Sequence, residues 1–102
     1  MPEPGSRLTV LAVGDGWSVE GEVDAHTAPR LAAALADVPD SHVVVAHFGG
    51  VTFMDSSGLR VLVEATTRAA EGGCELIISN PSAAVRRVVE ISGLTETLQL
   101  RD

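Results

Sequence analysis

The residues of this chain with the greatest capacity for chemistry cluster in two short stretches. One is Phe53-Met54-Asp55-Ser56-Ser57-Gly58-Leu59, in which a carboxylate, two hydroxyls and a glycine stand before an apolar-periodic run. The other is Gly21-Glu22-Val23-Asp24-Ala25-His26-Thr27, with a second carboxylate at its centre. A helix start needs one side chain to accept a backbone N–H, a bond worth about 1 kcal/mol. Asp55, Ser56 and Ser57 supply three candidates in a row. Either serine could serve as the cap, which leaves a surplus hydroxyl open to modification. A phosphate there would add a charge of about −1.5 to −2. The positive end of the helix would tolerate that charge by about 0.3–1 kcal/mol.

The two aspartates also admit an enzymatic reading. Asp24 and Asp55 could hold Mg²⁺ or share acid–base work, and Asp55 could accept a phosphoryl group itself. The rest of such machinery is missing from the sequence. It has no GxxxxGK[ST] phosphate loop, no histidine pair at metal-binding spacing and no lysine at all. His42 and His47 are five apart, so on a strand they point to opposite faces, and His26 is isolated. No nucleophile–base–orienter set follows from the spacing. The sequence reads as a non-enzyme, with no cofactor and no metal.

These residues must be positioned by a small α/β framework. Leu8 to Val13 and Trp17 to Val23 are β-type runs joined at Gly14-Asp15-Gly16, which predicts an N-terminal hairpin with Trp17 half-buried on it. Ala28, Leu31, Ala32 and Leu35 then recur at helical spacing, with Thr27 as N-cap and Pro29 in the first turn; Val38-Pro39-Asp40 ends that helix. His42 to Phe48 is a nearly continuous apolar run, expected as a strand covered on both faces and broken by Gly49-Gly50. Leu59, Leu62, Val63, Thr66 and Ala70 line one face of a second helix, stopped by Gly72-Gly73. Cys74 to Ser79 reads as a further buried strand. Asn80-Pro81 is expected to cap a third helix through Val85, Val88 and Val89, closed by Gly93; Thr97 to Leu100 forms a last short strand.

Strands alternating with helices imply parallel pairs and a mixed, mostly parallel sheet with three main helices. Sites in such sheets form where loops leave the carboxyl ends of the strands. If the second and third strands are parallel neighbours, Asp24 comes close to Asp55 and Ser56.

Composition narrows the function further. At 102 residues the chain suits one domain, with Met1 to Ser6 as a loose tail and residues 7–102 as the folded unit. The net charge of −7 opposes nucleic acid binding, and no apolar run reaches the ~20 residues needed to cross a bilayer. The single Cys74 can form no internal disulfide, which gives a cytoplasmic location as the default. All seven basic residues are arginine, scattered except for Arg86-Arg87, a pair that faces solvent or contacts an anion.

Three blocks carry a family resemblance. Gly21 to Ala28 (GEVDAHTA), Phe53 to Leu59 (FMDSSGL) and Asn80 to Leu94 (NPSAAVRRVVEISGL) resemble, in order and separation, blocks of the anti-sigma factor antagonists. These are bacterial single-domain proteins built on the STAS fold. The resemblance implies partner switching. The unmodified antagonist binds an anti-sigma factor with serine kinase activity and so frees a sigma factor to direct transcription. The kinase then phosphorylates the serine after the motif aspartate, here Ser56, and the complex separates; a serine phosphatase reverses the change. It also implies a partner-binding rim made of Asp24, Met54, Asp55, Ser57, Gly58 and Arg60, with Ser57 shaping the loop and Asp24 matching an aspartate implicated in kinase contact. Many relatives carry a small residue where this chain has Arg60, which could pair with the phosphate or act as a specificity contact. Some STAS domains serve instead in transporters, lipid-trafficking complexes or sensors, so an interaction module without a sigma-factor link is the alternative.

Overall fold

The computed structural model describes residues 7–37 and 42–102. Five strands and three helices follow in the order β1 (Leu8–Val13), β2 (Gly16–Val23), α1 (Ala28–Ala36), β3 (Val43–Met54), α2 (Ser56–Glu71), β4 (Glu75–Ser79), α3 (Ala83–Ser92) and β5 (Gln99–Arg101). The strands lie in one sheet in chain order, β1-β2-β3-β4-β5. β1 and β2 form the antiparallel hairpin; β2–β3, β3–β4 and β4–β5 are all parallel. The expected α/β class, mixed sheet, hairpin and three helices are therefore those observed. The tail Met1 to Ser6 and the Val38-Pro39-Asp40 stop fall outside the described residues.

One apolar cluster joins the sheet to all three helices: Trp17, Val19, Val44, Ala46 and Phe48 pack with Leu31 of α1, Leu62 of α2 and Val85 of α3. The helices thus share a face of the sheet. Burial along β3 alternates accordingly, with Val44, Ala46 and Phe48 buried and Val43, Val45 and His47 partly or fully exposed. This corrects the expectation of a strand covered on both sides. An apolar run can still be one-sided when the sheet is only two layers deep. Trp17 is likewise not half-buried. It is 6% exposed, because β2 is an interior strand and the indole lies opposite Ala46 on the core side.

Gly49-Gly50 does not end β3, which runs on through Met54. The glycines make room instead. A Cβ on Gly50 would lie 2.7 Å from Cγ of Glu20, where the β2–β3 register shifts. The continuation matters functionally, since it carries the strand to the Asp55-Ser56 motif.

The helices depart from the sequence reading in two further ways. Asn80-Pro81 does not begin α3. Asn80 takes a left-handed conformation (φ 49°) and donates its N–H to Arg101 O, tying the turn to β5, and Ser82 caps the helix with its hydroxyl accepting from Val85 N. Gly93 closes α3 in the left-handed conformation expected of a C-terminal glycine. On α2 the buried residues are Gly58, Leu59, Val61, Leu62 and Ala69, while Ala70 is exposed. That stripe turns toward α1 as well as the sheet, a helix–helix contact that periodicity alone does not reveal.

Candidate functional site at the ends of β2 and β3

Val23 and Met54 are the last paired residues of β2 and β3, so the loops that follow them leave the sheet side by side. Asp55 N–H then donates to Val23 O at 3.1 Å, fastening one loop to the other. The convergence expected from parallel pairing is present.

The first loop is organised around Asp24 and Thr27. The Asp24 carboxylate accepts from the backbone N–H of Thr27 (3.0 Å) and of His26 (2.9 Å). Those bonds, Thr27 first, hold its pKa below the ordinary value. Thr27 occupies the N-cap position of α1, as expected, but its side chain does not cap the helix. Its hydroxyl donates to Glu22 O (2.8 Å) and accepts from Asp24 N (3.0 Å), so it braces the turn from within. Thr27 is the one buried polar side chain among the described residues.

In the second loop the cap is Asp55 rather than either serine. Its carboxylate accepts from Ser57 N at 2.8 Å, while its carbonyl accepts from Gly58 N and Leu59 N. The motif therefore divides its labour. Asp55 holds the helix start, and Ser56, the first residue of α2, is exposed with no hydrogen bond from its hydroxyl among the described residues. Ser57 is half-buried and held by its backbone.

Two residues expected on the docking rim are instead beneath it. Met54 is 3% exposed and Gly58 is buried. A Cβ on Gly58 would lie 2.6 Å from both Met54 Cγ and Val23 Cγ1. Only a glycine lets the first turn of α2 approach the ends of β2 and β3 this closely. Past the β2–β3 register shifts the strand no longer alternates strictly: Val51 and Met54 are buried, while Thr52 and Phe53 (46% exposed) face outward. The apolar side chain presented near this rim is thus Phe53, a residue that sequence reasoning passed over because the register shifts that turn it outward leave no local signal.

Beside Ser56 lies a groove of about 300 Å³ between α1 and α2. Its apolar lining comes from Ala28, Pro29, Ala32 and Val61, and its polar lining from Ser56, Ser57 and Arg60. Arg60 is exposed and makes no ion pair or hydrogen bond among the described residues. Elsewhere, Arg86 of the Arg86-Arg87 pair forms an ion pair with Asp102, and His47 on the open sheet face contacts Asp15 at 2.9 Å. Among the described residues no group of three His, Cys, Asp or Glu side chains is placed to hold a metal ion, and Asp24 and Asp55 are each committed to their own backbone. No helix there is long and apolar enough to cross a membrane.

The fold and its paired loops define a class. Residues 17–102 match the STAS domain model, and the chain belongs to the STAS domain family. Within it, the chain is 34% identical over 86 residues to the anti-sigma-B factor antagonist of Listeria monocytogenes, covering 82% of this chain and 75% of that protein. The crystal structure of an anti-sigma factor antagonist from Mycobacterium paratuberculosis superposes with a TM-score of 0.80 at 30% identity, over 99% of this chain and 90% of that one. A transporter STAS domain from Vibrio cholerae shares the fold alone, with a TM-score of 0.62 and 15% identity over 83% of this chain and 70% of that one. Both of these relatives at 30% identity or more are named as antagonists of anti-sigma factors.

Proposed function

We propose that this protein is an anti-sigma factor antagonist switched by phosphorylation of Ser56. Unmodified, it binds an anti-sigma factor that is also a serine kinase, through Asp24, Asp55, Ser57 and Arg60 around Ser56, with Phe53 near them in place of Met54. Met54 and Gly58 support that surface from below. Binding withdraws the anti-sigma factor from its sigma factor. The kinase then transfers the γ-phosphoryl group of ATP to Ser56 Oγ; the hydroxyl proton passes to a base of the kinase and ADP departs. A serine phosphatase removes the phosphate by hydrolysis and restores the binding form. The protein is the substrate in both steps.

The observation that carries this reading is the division of labour at α2: Asp55 makes the cap, and the adjacent Ser56 hydroxyl is exposed and uncommitted. A kinase can reach such a group without unfolding the helix. Once modified, Ser56 carries a doubly charged group next to the Asp55 N-cap, and docking would have to strip that group of water and set it against any acid of the partner. Like charges at an interface cost several kcal/mol, and about 1.4 kcal/mol is already tenfold in affinity. Separation follows from electrostatics without rearrangement of the core.

Peptide mass spectrometry after incubation with host extract and ATP tests the assignment. A phosphate on Ser56 is the expected result, and Ser56→Ala should fold normally and bind its partner regardless of ATP. Modification confined to another residue, or ATP-sensitive binding by Ser56→Ala, would overturn it. The same measurement separates this role from that of a STAS interaction module in another complex, which needs no ATP-dependent change at Ser56.

A further inference from the structure

The helix start that would receive a phosphate on Ser56 has little left to give it. Ser57 N–H is held by the Asp55 carboxylate, and Gly58 and Leu59 N–H by the Asp55 carbonyl. Only the N–H of Ser56 itself is without a partner among the described residues. The adjacent Asp55 carboxylate adds negative charge. Beyond the Ser56 N–H and water, a phosphate here would gain most from a cationic side chain.

Arg60 is the one basic residue lining the groove, and Ser56 lines the same groove. The two are four apart on α2, a spacing that brings side chains together on one helix face. The guanidinium has no existing bond to break among the described residues. Its planar fork matches two phosphate oxygens. Glu64, one turn further along α2, is the nearest competing acid in sequence at that spacing, and no ion pair links it to Arg60. The groove that the pair would span is otherwise lined by Ala25, Ala28, Pro29, Ala32, Ser57 and Val61.

We infer that Arg60 reads the modification: once Ser56 is phosphorylated, the guanidinium folds onto the phosphate across the mouth of the α1–α2 groove and closes it. This rests on Ser56 as the modified residue. Arg60 is then withdrawn from the proposed partner-binding surface, so the modification changes that surface by the loss of a free cation as well as by the added charge.

The test uses the full chain with phosphoserine installed at position 56 during translation, so that no kinase is involved. Titration followed by ³¹P NMR should place the second ionisation of the phosphate about half a pH unit or more lower in this protein than in its Arg60→Gln variant, as a neighbouring cation favours the dianion. The difference should shrink in 1 M NaCl. Arg68→Gln, on the same helix but outside this groove, should titrate like the parent. Equal midpoints for the parent and Arg60→Gln would overturn the inference. So would an Arg68→Gln shift as large as that of Arg60→Gln, which would show a general charge effect. Lack of Ser56 modification by the host kinase would sink the proposed function while leaving this measurement intact.

Discussion

Replacing Thr27 by valine keeps the volume and β-branching of the side chain and removes only its hydrogen bonding. The hydroxyl, on a residue 2% exposed, serves Glu22 O at 2.8 Å and Asp24 N–H at 3.0 Å. Valine would leave both backbone groups facing a methyl. An abandoned buried group costs about 1–3 kcal/mol. Glu22 and Asp24 are half-buried, so each loss belongs at the lower end, and the sum is about 2 kcal/mol. For a domain of this size that corresponds to a fall in Tm of about 8–16 °C. Thermal and urea unfolding followed by circular dichroism measure it directly. Thr27→Ser, which restores the hydroxyl and gives up one methyl, should recover at least half of the loss. A valine variant within about 0.5 kcal/mol of the parent, or a serine variant less stable than valine, would refute the account of Thr27 as an internal brace.

Two other perturbations test the loops. Asp55→Ala removes the α2 cap and should lower stability by about 1 kcal/mol, whereas Asp55→Asn, which keeps an accepting oxygen, should lose less; equal losses would mean that the Ser57 N–H bond contributes little. The Asp24 carboxyl has a folded-state pKa below its unfolded value, so its contribution is fully present above the unfolded value and is lost as pH falls through the folded one. Urea midpoints at pH 7 and pH 3 should therefore differ more for the parent than for Asp24→Asn. Asp15, held low chiefly by its hydrogen bond with His47, acts in the same direction in both chains, so only the difference between them reports on Asp24.

Much of this architecture is legible in the order of the chain. Leu8–Val13 is recovered with the same bounds, Trp17 to Val23 within one residue, and the Asp24–Asp55 convergence follows once β2 and β3 are read as parallel neighbours. The misreadings share a cause, which is that local patterns do not state what a neighbour supplies. Gly49-Gly50 looks like a break until Glu20 across the ladder is seen to need the space. Asn80-Pro81 looks like a helix start until Arg101 O claims the Asn80 amide. Met54 looks like a docking contact because the motif is read as a linear segment; on a strand its neighbour Phe53 is the one turned outward. The surplus of polar groups at Asp55-Ser56-Ser57 was visible in the sequence, but its allocation was not. Which group caps and which stays unoccupied depends on backbone geometry that only the folded loop fixes.

The bond from Asp55 N–H to Val23 O has an engineering consequence. Because it staples the end of β2 to the start of α2, the two loops form a single mechanical part. Redirecting this protein to a foreign regulator by grafting only the segment around Ser56 would join a new surface to an old hinge. Transplants should succeed when residues 21–28 and 53–60 travel as a matched set.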